Sequence, residues 1–553
     1  MKTMKPILLA ALAACISGGA HAQLTVRPSR DNAGVFRDAT IVIPAIRREM
    51  RAAWAATVFN IDWPSTSSLS SSQEQAEIVS LLDIAKAANL NAIFLQVRSQ
   101  CDRLYGQPTD VNVPNEPWPS LLTGSMGTAP NPLYDPLQVW VNECKARGIE
   151  LHVWFNPYRA LSSAAGQPGV PTNHITKQLP NEWVTYSSQC WMDPSSPQAL
   201  DWTRKVILDV VNRYDVDGVV FDDYFYPSGS SSTTNPFPDS ARYTAYQNAE
   251  IAAGRTPLSL ANWRRSNVNN LVSDLGSRIR AIKPWVKFGI GPNGIYISGQ
   301  PSGTSGQSAY NELYADTRLW LNAGWVDYLA PQIYWTLVST SQPHGTILDW
   351  WRQQVSTTPS LRRHVWVSNY TSNIGTSAAW TAAEIANQIT YARNTVTTTN
   401  LANGQVCTGN VHYSLKAFKN DQGGVRTLLT GGLYAQASLP PSYPWLDAVA
   451  PTNPSVSYSK NIAAATQTIS WSPTGTEAPN RYVIATLIGT AWSYRTIPAT
   501  QLSLTLPIKS ASGALKVFGV AAVDRANNMS GWVQGVLDPS AVGGNIRDVS
   551  DEG

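Results

Sequence analysis

From about Met50 to Leu446 the chain alternates short apolar runs with helix-like segments, and few folds accommodate that pattern over such a length. The runs are 51–59, 92–97, 150–155, 218–222, 286–290, 328–333, 364–367 and 410–414. Between them, apolar residues recur at helical spacing. In 73–90 these are Ile78, Leu81, Leu82 and Ala85, and in 197–214 they are Leu200, Val206, Ile207 and Val210, behind a proline in the first turn. Segments 262–283 and 311–323 continue the alternation. Eight strands interleaved with helices predict an α/β fold, a (β/α)₈ barrel over 49–446. The longest inserts follow the second to fifth strands, on the face where such barrels build their sites.

After Pro440-Pro441 the helical period vanishes. Short alternating runs at 467–472, 481–487, 502–506 and 514–523 predict a small all-β sandwich of immunoglobulin type over 450–537. With Trp471 early and Asp524 to Asn528 late, it resembles a fibronectin type III module. Residues 538–553 read as a polar tail and 23–48 as a linker.

The amino terminus reads as a leader, basic over Met1 to Lys5, apolar over Pro6 to Ala14, with Ala20-His21-Ala22 as a cleavage site. Leu12-Ala13-Ala14-Cys15 offers a second reading, a lipoprotein signal ending before a lipid anchor at Cys15. Either leader predicts export, to the periplasm or to the outer membrane as a lipoprotein. Export leaves Cys101, Cys144, Cys190 and Cys407, which can pair in three ways, with a buried free thiol an equal reading for Cys144 in its helical pattern.

Lys and Arg number 41 against 37 acids, with no basic run, which argues against a nucleic-acid partner. The 21 tryptophans suit sugar stacking and core packing alike. His152, His174, His344, His364 and His412 lie on separate segments with no ligand spacing, so no metal and no cofactor is expected.

Strand parity nominates the site. The inward rows are Phe94, Gln96 and Arg98; Glu150, His152, Trp154 and Asn156; Ala330, Gln332 and Tyr334; His364, Trp366 and Ser368; and Asn410, His412 and Ser414. The fourth strand ends Val219-Val220-Phe221-Asp222-Asp223-Tyr224, with Asp222 and Tyr224 inward and Asp223 at the rim. A carboxyl group at the end of an apolar strand requires partners or a task. Asp222 and Asp223 are therefore the candidate catalytic residues, set against a structural reading in which they pair with Arg98 or Arg159. A glycosidase normally needs a second carboxyl about 5–9.5 Å away. Asp62, Asp102, Glu312 and Asp316 are alternatives to Asp223 with no clear winner, so the acid stays unassigned.

These segments closely resemble the bacterial glycosyl-hydrolase-like family 10, whose members include a divisome-localised hydrolase of the cell envelope. The resemblance is carried by Glu49-Met50-Arg51 through Asn60-Ile61-Asp62-Trp63-Pro64, Phe94-Leu95-Gln96-Val97-Arg98, Tyr134-Asp135-Pro136-Leu137 and Trp154-Phe155-Asn156-Pro157-Tyr158-Arg159. It continues through Tyr214 to Pro227, Asn262-Trp263-Arg264-Arg265, Tyr314 to Arg318 and Pro331-Gln332-Ile333-Tyr334-Trp335. Gly291-Pro292-Asn293-Gly294 departs from the family's more usual Ser-Pro-Phe-Gly. Chitinase-like barrels resemble the chain less, since they place a Glu where Tyr224 stands.

The resemblance implies a barrel acting on glycans, peptidoglycan strands foremost, centred on Asp222-Asp223. Because those sugars carry N-acetyl groups able to act as internal nucleophiles, the two aspartates are expected to divide acid and orienting roles, with Tyr334 or Gln332 holding the acetamide. Arg98, His152, Trp154, Asn156, Tyr158, Arg159, Gln332, Tyr334 and Trp335 are the expected substrate-binding residues. The alternative is a non-catalytic glycan-binding or scaffold protein of the envelope.

Overall fold

The computed structural model describes residues 30–36, 40–394, 399, 402 and 404–538. The leader, Cys15 and the tail beyond Asp538 lie outside them.

Eight parallel strands close into a barrel: β1 (Met50–Ala55), β2 (Ala92–Arg98), β3 (Glu150–Phe155), β4 (Gly218–Phe221), β5 (Lys287–Ile290), β6 (Tyr328–Leu329), β7 (His364–Asn369) and β8 (Cys407–Tyr413). β8 returns to β1 with Ala52 opposite Val411 and Trp54 opposite Tyr413. Each expected run holds one strand.

The helix over Ser71–Ala87 starts in a capping box between Ser70 and Gln73, and Pro197–Arg213 starts at Ser196, whose side chain accepts from Ala199 N. Leu260–Ile282 takes the place of 262–283. The expected helix over 311–323 is instead two short ones, Ala309–Glu312 and Thr317–Asn322. Tyr314 between them has φ +54°, and Asp316 caps the second by accepting from Leu319 N.

The barrel interior is aromatic. Trp54 meets Phe94 and Trp154 edge to face, each at 5.0 Å, and Phe94 stacks on His152 at 4.9 Å. Gly218 and Gly289 make room for these rings. A Cβ at Gly218 would sit 2.4 Å from His152, and one at Gly289 would sit 2.1 Å from Tyr328.

Two antiparallel sheets form the C-terminal module. One joins Ser455–Asn461, Thr466–Ser472 and Ser503–Pro507; the other is built on Arg481–Ile488 between Ala491–Pro498 and Gly513–Val523. Trp471, Tyr482, Ile484, Phe518 and Val520 fill the space between. Segment 23–48 is more than a linker where it is described. Val35 is buried in the module's core, Phe36 bridges to Val536, and Arg48 bridges to Leu439. Apolar residues in that stretch find buried partners, which a free spacer would not supply.

The module closes the amino-terminal end of the barrel. Arg481 and Asn527 each reach Glu150, the first residue of β3, at 2.9 Å. Lys287 Nζ, 3.6 Å from Glu150, donates to Arg525 O. Burial alone would raise the Glu150 carboxyl, but Lys287, the His152 hydrogen bond and Arg481 hold it well below the carboxylate range.

Candidate active site

At the opposite end, the carboxyl ends of the strands surround a cavity of about 310 Å³. Asp222 follows β4 directly and is 4% exposed. Its Oδ2 accepts from Trp154 Nε1 at 3.0 Å. Burial, then the neighbouring Asp223, push its carboxyl up to about 7, with Arg159 opposing. Asp223 is half-buried, and its Oδ1 accepts from Gln332 Nε2 at 3.2 Å. Burial raises its pKa too, against the Gln332 hydrogen bond and Arg159. A charge on either of two adjacent carboxyls disfavours ionisation of the other.

Seven aromatic side chains line the cavity: Trp54, Phe59, Trp154, Tyr224, Tyr334, Tyr370 and Tyr413. Tyr334 packs on Tyr370 at 4.9 Å and faces Tyr413 at 5.8 Å. Arg159 is the cation among the lining residues, with its guanidinium 4.7 Å from the Tyr224 ring centroid and Nε donating to Ser99 O. A cavity with aromatic walls, one cation and a carboxyl pair has the make-up of a site for a polar, ring-shaped ligand.

Of the expected site residues, the structure brings Asp222, Asp223, Trp154, Arg159, Gln332 and Tyr334 together in this cavity. The other five lie elsewhere. Arg98 is turned out of the barrel by a bulge: the β2–β3 register shifts after Gln96 and sets Arg98 opposite Phe155, whose side chain belongs to the helix-facing core. There it is fully buried, paired with Glu116 at 2.6 Å and donating to Asn156 O at 2.7 Å. His152 lies deeper in the barrel, bonded to Tyr328 OH at 2.8 Å and Glu150 at 3.3 Å.

Asn156 shapes a turn, its Oδ1 accepting from Tyr158 N and Arg159 N, and so positions Arg159 rather than a ligand. Tyr158 is buried among helix-facing residues. Trp335 packs partly buried against the same core, its ring in the space that a Cβ at Gly294 would occupy.

The eighth strand also corrects the parity reading. Val411 and Tyr413 face the axis, whereas His412 faces the helices, bonded to Thr371 Oγ1 at 2.8 Å and Tyr434 OH at 3.0 Å. Burial lowers its pKa to about 3, so it is neutral. Trp54, Tyr370 and Tyr413 are cavity residues that the parity argument missed. Pairing Val411 with Ala52 would have identified Tyr413, and the one aromatic side chain in Met50–Ala55 marks Trp54.

The alternative acids have structural partners. Asp62 accepts from Ala56 N, Ser414 Oγ and Lys416 N, joining the ends of β1 and β8, and burial lifts its pKa to about 6. Asp102 accepts from Ser99 N and Gln100 N, Glu312 from Ser308 N, and Asp316 from Tyr296 OH. Among the described residues, Asp222 and Asp223 are the acids that line the cavity.

One loop at the rim is strained. Phe59 and Asn60 have φ near +55°, and Phe59 is 72% exposed. A left-handed conformation costs a bulky residue about 1–2 kcal/mol. Neighbouring bonds hold it: Gln96 Oε1 accepts from Thr57 N and Val58 N, and Asn60 Nδ2 donates to Pro64 O and Leu121 O.

The chain is similar to several known proteins. Glycosyl hydrolase YngK of Bacillus subtilis (strain 168) is 35% identical over 414 residues, covering 74% of this chain and 76% of that protein. Glycosyl hydrolase DigH of Escherichia coli (strain K12) is 36% identical over 330 residues, 56% of this chain and 71% of that one. Among solved structures, the PgaB (BpsB) glycoside hydrolase domain from Bordetella bronchiseptica covers 69% of this chain and 98% of its own, at 13% identity and a TM-score of 0.44. The profile of the family described as glycosyl hydrolase-like 10 matches residues 49–380, a span that contains Asp222, Asp223 and every other lining residue of the cavity except Tyr413. By both that match and the similarity to YngK, the chain belongs to the glycosyl hydrolase-like 10 family.

Proposed function

We propose that the protein is an exported glycoside hydrolase that cleaves glycosidic bonds in cell-envelope polysaccharide, with peptidoglycan glycan strands as substrate. The observation that carries this reading is the Asp222-Asp223 pair at the end of β4, set in a cavity walled by seven aromatic rings. Membership of the family supports it.

The pair fits substrate-assisted hydrolysis of an N-acetylated sugar. Asp222, protonated near neutral pH, donates its proton to the leaving oxygen. As that bond breaks, the acetamide carbonyl oxygen forms a bond to the anomeric carbon. Asp223, oriented by the Gln332 amide, accepts the acetamide N–H and holds the group in line. Water then attacks the anomeric carbon, releases the acetamide and returns a proton to Asp222. Tyr334 and Trp154 pack against the sugar face, and Arg159 neutralises negative charge that builds at the site. In this reading the C-terminal module, fibronectin type III-like, is a structural partner of the barrel. The leader delivers the chain to the periplasm, free or anchored through Cys15.

Digestion of purified glycan strands, with and without stem peptides, tests the reading by mass spectrometry of the products. New saccharide ends, lost in Asp222→Asn, are expected. Strands that are retained on the protein uncut would support the alternative, a non-catalytic glycan-binding protein. Strands that have lost their N-acetyl groups should resist cleavage, and their turnover at the same rate would remove the acetamide from the mechanism.

A further inference from the structure

Beside the cavity of the acid pair lies a second of about 490 Å³, and Val58 and Phe59 line both. The second shares Ser67 with a third of about 260 Å³. Three adjoining hollows thus lead away from Asp222 across the loops that follow β1, β2 and β3. Phe59 stands where the first two meet, exposed, on backbone that bulky residues avoid, and held there by Gln96 and Asn60. A phenyl ring kept in water by an over-determined strained turn contributes little to a core, and such strain concentrates at ligand sites. Gln96 adds a second sign. It is fully buried, it lines the first cavity, and its Nε2 has no partner among the described residues. The second cavity is mixed in character and almost uncharged: Ser67, Gln100, Ser120, Ser162 and Ser163 alternate with apolar residues such as Leu121 and Met126, while Asp102 is occupied by backbone N–H groups.

We propose that Phe59 is a stacking platform between two sugar subsites, and that the second cavity is a distal subsite for a neutral, hydroxyl-rich sugar of the same chain. The inference rests on the glycan reading above. It makes the protein a reader of chain length: short oligomers occupy the first cavity, and longer ones gain the Phe59 face and the hollow beyond it.

Calorimetric titration of the full chain carrying Asp222→Asn with N-acetylglucosamine oligomers of two to six units tests this directly. Affinity is expected to rise with length, and Phe59→Ala on that background should cost about tenfold for the hexamer and far less for the dimer. Phe59→Trp should keep the length dependence. Phe59→Gly relieves the backbone strain, so its thermal midpoint should not fall, and it reports the ring's loss should the alanine variant fold poorly. Val111→Ser, at an exposed residue that lines neither cavity, is the control. Equal losses at every length, no loss, or no binding of any oligomer would overturn the proposal. Length-dependent binding through Phe59 in a wild-type protein that cuts no glycan would keep the subsite and reject the hydrolase. Cleavage that ignores Phe59 would do the reverse.

Discussion

Asp222, the proposed acid, is a buried carboxyl whose protonation is linked to folding. Its pKa of about 7 in the folded chain lies above the 3.8 of the free side chain, so the native state holds a proton that the unfolded chain releases between those values. The stability this supplies is complete below pH 3.8 and is lost as pH rises through 7. Every tenfold gain in proton affinity on folding corresponds to about 1.4 kcal/mol. Asp222→Asn keeps an acceptor for Trp154 Nε1 and removes the buried charge. Its unfolding midpoint should therefore exceed that of the wild type at pH 8, with the gap narrowing towards pH 4. Differential scanning calorimetry at the two pH values checks this, and an unchanged gap would mean that Asp222 is not perturbed. The same substitution should lower turnover by about 10²–10⁴-fold, the usual worth of a positioned acid. A variant that gains stability while losing activity marks a residue held for function.

At the scale of elements, the bulge in β2 decides what Arg98 does. With Glu116 fully buried beside it, Arg98→Ala leaves a carboxylate without its cation, at a cost of about 3–5 kcal/mol. Replacing both partners together with apolar residues should recover much of that, and thermal unfolding of the single and double variants checks it. A single variant as stable as the wild type would show that the pair is not structural. The bulge also explains what was legible in the sequence. Parallel strands covered on both faces read as apolar runs, so all eight could be found. Parity then placed Trp154, Gln332 and Tyr334 in the cavity, because β3 and the β6 region keep an uninterrupted alternation. It failed at Arg98 because a bulge depends on a partner eighteen residues away, Glu116. It failed at His412 because a polar side chain there does not point inward: Thr371 and Tyr434 satisfy the ring on the helix side. The acid pair was legible because two carboxyls ending an apolar strand have no cheap structural use. The rim turn at Phe59 was not, since a left-handed residue leaves no mark in composition.

For the whole molecule, barrel and C-terminal module share one buried ionic group. Glu150 sits inside the barrel end, yet two of its hydrogen-bond partners, Arg481 and Asn527, belong to the module. Arg525 reinforces the junction, pairing with Asp215 at 2.7 Å, and Lys86 reaches Thr496 O at 3.0 Å. The two parts should therefore unfold in one calorimetric transition. Arg481→Ala should lower its midpoint, with a loss of about 3 kcal/mol for a half-paired buried carboxylate. Two transitions, with only the smaller one moved by the substitution, would show instead that the module is an independent unit.

Whether the Asp222-Asp223 pair breaks glycosidic bonds is read from the pH dependence of reducing-end release from glycan strands. For the wild type the rate should fall as pH rises through about 7, where Asp222 loses its proton, and fall again in acid, where Asp223 gains one. Asp222→Asn should lose the activity and with it the alkaline limb, while Asp223→Asn should lose the acid limb. Full activity in both variants, with the wild-type profile intact, would remove the pair from the chemistry.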